Sequence, residues 1–239
     1  MSWRNKLIIA LDVSDPDKAI DIVDRLGDYA GVFKVGFELF VTAGPGIVEK
    51  IHKKNKRVFL DLKFHDIPNT VAKAAVAAAK MGVYMFNVHT SGGVQMMKRC
   101  CDTVSEFCDK QNITRPKMIG VTVLTSISSD MLKNEQCVSH TIKTHVKHLA
   151  GLAKQSGMDG VVASPHEISL IKSSQGNDFL VVTPGIRPTW VLPDDQMRTA
   201  TPKQALRDGA DYIVMGRGIL AQEDPVKALE LISIDILTA

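Results

Sequence analysis

Eight short apolar runs recur along the chain, at 7–13, 32–39, 57–64, 84–90, 117–125, 160–164, 179–186 and 212–216. They are nearly unbroken in Val, Ile, Leu, Phe and Met and do not alternate with polar residues. A strand with one wet face alternates. A strand without alternation is buried on both faces, the condition of a parallel sheet covered by helices. Amphipathic stretches fill the gaps. Asp15-Pro16-Asp17 sets a capping residue and a first-turn proline ahead of Ile20, Val23 and Leu26, with Gly27 as the stop. Pro68-Asn69-Thr70 opens an Ala-rich helix to Met81, 93–110 and 139–156 read as longer helices, and Thr201-Pro202 and Asp224-Pro225 open two more. Eight β/α units of about 30 residues each use the whole chain without a linker, which predicts a single-domain closed (β/α)8 TIM barrel over 1–239. An open doubly wound sheet usually shows GxGxxG after its first strand. Here Ala10-Leu11-Asp12-Val13-Ser14 contains no glycine.

Composition narrows the class. Hydrophobic residues make up 45% and charged residues 23% of the chain, a balance that disordered chains do not have. A net charge of +3 is too even for a nucleic-acid surface, and Lys53-Lys54-Asn55-Lys56-Arg57 reads as a solvated helix end. The start of the first run, Leu7 to Leu11, is too short for a signal-peptide core or a membrane span, and Met1-Ser2-Trp3-Arg4 carries no targeting pattern. A cytoplasmic protein with no membrane partner is therefore expected. Cys100, Cys101, Cys108 and Cys137 form no CxxC pair and are expected as reduced thiols. Cys100 and Cys108 with His140, His145 and His148 match no zinc-ligand spacing, so no metal is expected.

Functional residues of such a barrel lie at the C-terminal ends of its strands. Those ends are charged here. The third run contains Asp61 and Lys63, two apart and so expected on one side of the strand, with Asp66 following in the loop. Lys34 on the neighbouring run reaches the same side, and Asp12 ends the first run. A salt-bridge network plugging the barrel mouth would account for one such pair. The four charges of Asp61, Lys63, Asp66 and Lys34 together point instead to function, because a charge costs several kcal/mol to bury unpaired. The second constellation is Pro184-Gly185-Ile186-Arg187 with Gly216-Arg217-Gly218, after strands seven and eight. Those loops form the usual phosphate site of this barrel, where glycine admits backbone N–H groups and Arg adds a bidentate contact. Asn87 is a candidate neutral partner of the charged network, His65 and His89 read as packing residues, and the place of Glu38 stays open. The stretch 187–201, with two prolines and little periodicity, reads as a lid or binding loop.

The string Asp61-Leu62-Lys63-Phe64-His65-Asp66-Ile67-Pro68-Asn69-Thr70 closely resembles the signature of the orotidine 5′-phosphate decarboxylase family. So do Leu11-Asp12, Lys34-Val35-Gly36, Val123-Leu124-Thr125-Ser126, Thr183 to Arg187 and Gly216-Arg217, so the resemblance runs the length of the chain. It implies the last step of de novo UMP synthesis, the removal of CO2 from a nucleoside monophosphate, with no metal and no organic cofactor. It further implies a homodimer with active sites at the interface, where Asp66, Ile67 and Thr70 come from the other subunit. By the same resemblance Lys63 is the proton donor, with Lys34, Asp61 and Asp66 completing an alternating charge array. Asp12, Lys34 and Thr70 would meet the ribose, and Thr125 and Ser126 the pyrimidine edge. Gln196, Gly216 and Arg217 would hold the phosphate, beside Pro184 and Arg187.

Two other readings compete. Related barrels that decarboxylate or build sugar phosphates share D-x-K-x-x-D but hold Mg²⁺ partly through an acidic residue on strand two. Lys34 at the corresponding place would repel it. A barrel that binds a phosphate ligand without catalysis would be free to lose Lys63 and both aspartates, and this chain keeps all three.

Overall fold

The computed structural model describes residues 3–191 and 198–238. Its strands are β1 (Leu7–Ala10), β2 (Val32–Gly36), β3 (Arg57–Phe64), β4 (Met85–His89), β5 (Lys117–Val121), β6 (Gly160–Val162), β7 (Leu180–Thr183) and β8 (Tyr212–Met215). Each pairs in parallel with the next, and β1 pairs back with β8, so the sheet closes into a (β/α)8 barrel. Around it run α1 (Pro16–Leu26), α2 (Phe37–Ala43), α3 (Gly46–His52), α4 (Pro68–Lys80), α5 (Gly93–Gln111), α6 (Ser129–Asn134) and α7 (Ile142–Gln155). The circuit ends with α8 (Ile168–Gln175), α9 (Pro202–Arg207), α10 (Arg217–Leu220) and α11 (Pro225–Leu237).

The expected caps are in place. Asp15 accepts from the N–H groups of Asp17 and Lys18, Asp224 from those of Val226 and Lys227, and Thr201 from that of Gln204. Each such cap is worth about 1 kcal/mol. The structure ends five strands two or more residues before the sequence reading. β1 stops at Ala10 rather than Val13, β2 at Gly36 rather than Leu39, β5 at Val121 rather than Thr125, β6 at Val162 rather than Ser164, and β7 at Thr183 rather than Ile186. The segment after β2 is helix α2, whose Leu39 is buried while Phe37 and Val41 are exposed. A short apolar run does not by itself distinguish strand from helix. Helices α2, α3, α6, α8 and α10 also went unread; none is longer than eight residues, and all but α6 open without a side-chain cap.

Inward-facing Ile8, Ala10, Val32, Phe59, Met85, Ile119, Val182 and Val214 pack as one cluster inside the barrel, and outward-facing positions pack under the helices. The N-terminal end is closed by the Tyr84 and Tyr212 hydroxyls, 2.6 Å apart, with the Arg57 guanidinium 4.2 Å from the Tyr84 ring centre. A repeated device stiffens that end. Asp159, just before β6, accepts the Met118 N–H of β5 at 2.7 Å and two Arg115 contacts. Asp211, just before β8, accepts the Val181 N–H of β7 at 2.7 Å and pairs with Lys172. With one end sealed, the polar chemistry is left to the other.

Candidate active site

The inward periodicity of β2, β3 and β4 carries Lys34, Asp61 and Asn87 to the open end of the barrel. Lys34 Nζ lies 2.9 Å from Asp12 Oδ1 and 3.4 Å from Asp61 Oδ2. Lys63 Nζ lies 2.7 Å from Asp61 Oδ1, and Asn87 Nδ2 donates to the same oxygen at 2.6 Å. Asp61 is thus a buried carboxylate between two ammonium groups and an amide. Burial alone would raise its pKa, but Lys34, Lys63 and Asn87 together outweigh that and hold it below the ordinary carboxylate value. Burial likewise works to lower the pKa of Lys34, and Asp61 and Asp12 outweigh it, so Lys34 stays charged.

Asp61 and Lys63 do meet, but not by simple alternation. Leu60 pairs with Phe86 and Phe64 with Val88, so β3 advances four residues while β4 advances two. Lys63 takes up this bulge with φ 43°, in the left-handed region that non-glycine residues rarely enter. Asn87 Oδ1 holds the Lys63 N–H at 2.7 Å, so one buried amide braces both the carboxylate and the strained peptide. Asn87→Ala is expected to lower the melting temperature, since a buried polar group left unpaired costs about 1–3 kcal/mol. It should also lower kcat by about tenfold with a smaller change in KM. A kcat within twofold of wild type would remove Asn87 from the site's support.

The cavity over this network has a volume of about 380 Å³. Asp12, Lys34, Asp61 and Lys63 line one side, and Pro184 to Arg187 with Gly216, Arg217 and Gly218 line another. Thr125 and Ser126 close a third, and Phe59, Val121, Val162, Val182 and Val214 make an apolar floor. Gly216 fits closely, since a Cβ there would lie 3.0 Å from Asp12 Oδ2 and 3.3 Å from the Ala10 side chain and would press on both.

Of the residues singled out from sequence, Asp66, Ile67 and Thr70 are exposed and do not line this cavity, and Gln196 lies outside the described residues. His65 and His89 meet with ring centres 5.4 Å apart and planes tilted by 41°, beside the site. Burial, with help from His65 and Lys63, lowers the His89 pKa. Sequence reasoning missed Phe37, whose ring centre lies 5.8 Å from Lys63 Nζ, because it fell inside a run read as strand. It also missed Arg198 and Glu167, a buried ion pair at 2.9 Å beside the cavity. Cys100, Cys101 and Cys108 are buried free thiols and Cys137 an exposed one; among the described residues no His, Cys, Asp and Glu cluster could hold a metal.

A family model described as "Orotidine 5'-phosphate decarboxylase / HUMPS family" matches residues 5–232. The chain belongs to that family. It is 49% identical over 236 residues to the orotidine 5′-phosphate decarboxylase of Trichlorobacter lovleyi, covering 98% of this chain and 96% of the relative. With that of Moorella thermoacetica it shares 47% over 236 residues, covering 99% and 94%. The crystal structure of orotidine 5′-phosphate decarboxylase from Lactobacillus acidophilus superposes with a TM-score of 0.85 at 41% identity, covering 98% of this chain and 100% of that one. As a member of the orotidine 5′-phosphate decarboxylase family the chain is a carboxy-lyase of pyrimidine biosynthesis. No helix among its described residues is long and apolar enough to cross a membrane.

Proposed function

We propose that the chain is a cytoplasmic homodimeric enzyme that converts orotidine 5′-phosphate to UMP and CO2, with Lys63 as proton donor and without metal or cofactor. The observation that carries this reading is the Lys34–Asp61–Lys63 array, with the Lys63 ammonium 2.7 Å from Asp61 and open to the cavity. Breaking the bond from the ring carbon to the carboxylate leaves an electron pair on an sp² carbon with no adjoining π-system to accept it. The protein must therefore meet that charge electrostatically and supply a proton. Lys63 does both: its cation faces the developing carbanion, and one N–H proton forms the new C–H bond as CO2 leaves. Asp61 holds the ammonium in place and repels the substrate carboxylate. Two unit charges about 4 Å apart repel by about 4 kcal/mol at an effective dielectric near 20. Arg217 and the Gly185 and Gly216 loops take the phosphate, Thr125 and Ser126 the pyrimidine edge, and Asp12 and Lys34 the ribose.

The assay is loss of orotidine 5′-phosphate absorbance, before and after EDTA treatment. Full activity after EDTA is expected, because Lys34 is a cation where a Mg²⁺-dependent relative would need an acid. Loss of activity that Mg²⁺ restores would overturn the metal-free reading.

The dimer reading is supported by Ile67, 67% exposed at the start of α4, and by Phe37, 56% exposed on α2. Large apolar side chains standing in water beside a charged cavity fit a covering partner. If Asp66 acts across the interface, mixing inactive Lys63→Ala with inactive Asp66→Ala subunits should restore about a quarter of wild-type activity. Random pairing makes half the dimers hybrids, each with one complete site of two. No recovery in mixtures shown by mass spectrometry to contain hybrids would put Asp66 at work in its own subunit.

A further inference from the structure

We infer that Arg198, held by Glu167, is a positioning residue that fixes the pyrimidine-reading loop to the phosphate-side loop, so that the two halves of the substrate site move as one frame. The inference rests on the decarboxylase reading above. Arg198 reaches three strand-end loops at once. Its Nη1 pairs with Glu167 Oε1 at 2.9 Å, in the turn after β6. Its Nη2 donates to the carbonyls of Leu124 at 3.0 Å and Val123 at 3.4 Å, directly before Thr125 and Ser126. Its own backbone leads into Thr199 and Ala200, and Ala200 is bridged to Ile186. The Arg187 N–H donates to the Ala200 carbonyl at 2.9 Å, and the Ala200 N–H to the Gly185 carbonyl at 3.2 Å. His166, beside Glu167, contacts the Thr199 carbonyl at 3.2 Å through Nε2.

The Glu167 side chain is 2% exposed and that of Arg198 12%. A buried ion pair is a poor way to gain stability, and an apolar pair of the same size would often do better. Its better-attested use is to fix one arrangement over others. The planar guanidinium suits this task, since its fork donates in several fixed directions where an ammonium offers a single point. The position is also chemically apt. The phosphate is remote from the bond that breaks, so its binding energy assists the reaction only where phosphate-side and base-side loops are mechanically joined. Arg198 and its carbonyl acceptors are such a joint.

The test is the phosphate advantage, the ratio of kcat/KM for orotidine 5′-phosphate to that for the nucleoside orotidine. Arg198→Met combined with Glu167→Gln removes both charges together and leaves no buried carboxylate unpaired. The ratio is expected to fall by about tenfold or more, with the circular dichroism spectrum unchanged. Arg198→Lys keeps a cation for Glu167 but not the fork to Val123 and Leu124, and should lower the ratio by a smaller factor. Equal losses on both substrates, or no loss on either, would overturn the inference and leave the pair as barrel support. If the double variant does not fold, an unchanged ratio in Arg198→Lys overturns it equally. A wild-type chain without turnover of orotidine 5′-phosphate would fail the decarboxylase reading itself, which the same assay records first.

Discussion

Lys63→Ala should abolish turnover of orotidine 5′-phosphate while the protein stays folded and still binds UMP. Two effects end together in this variant. A positioned proton donor contributes about 10²–10⁴-fold, and a fixed charge at a developing anion about 10²–10³-fold more. A loss of about 10⁴-fold or greater is therefore expected. The fold tolerates the change because Asp61 keeps Lys34 at 3.4 Å and Asn87 at 2.6 Å. A change in the acid limb of stability should accompany it. The Asp61 pKa is lowered on folding, so its ionised form adds stability above the unfolded value near 4, and that stability is lost as pH falls through the folded pKa. Removing the Lys63 cation raises the folded pKa, so the variant should begin to lose stability at a higher pH than wild type. Turnover within tenfold of wild type would show that Lys63 is not the donor.

Arg217→Ala should weaken UMP binding and lower kcat/KM for the phosphorylated substrate by several kcal/mol. A charge-assisted hydrogen bond contributes about 1.5–3 kcal/mol, and a bidentate guanidinium–phosphate contact more. The decisive control is orotidine, which has no phosphate to lose and whose turnover should barely change. Arg217 is exposed at the start of α10, so its removal opens no cavity in the core. Equal losses on nucleotide and nucleoside would assign Arg217 to support of the barrel rather than to the ligand.

The barrel was legible because burial on both faces suppresses alternation, and that signature survives in a single sequence. The meeting of Lys34, Asp61 and Lys63 was legible because charges are costly in apolar strands and so stand out. What stayed hidden depended on distances the chain does not encode locally. The bulge at Lys63 is a mismatch between β3 and β4, invisible in β3 alone. Arg198 and Glu167 stand 31 residues apart, one in a stretch without periodicity and the other in a short polar turn. Either would pass for a solvated side chain. Helix α2 was lost for the reverse reason: its first residues continue an apolar run, and no capping side chain marks the change.

Among the described residues, the non-glycine positions with positive φ are Asn55, Lys63, Asn112 and Cys137. Asparagine enters that region readily; lysine does not. Selection for folding alone would put glycine or asparagine at 63, where either would relax the peptide. An ammonium is kept there against the preference of its own backbone, and the surrounding hydrogen bonds absorb the mismatch. Drift toward stability at this codon therefore runs directly toward an inactive enzyme. A stabilised variant chosen by thermal screening without an activity readout would be prone to lose its chemistry at this residue first.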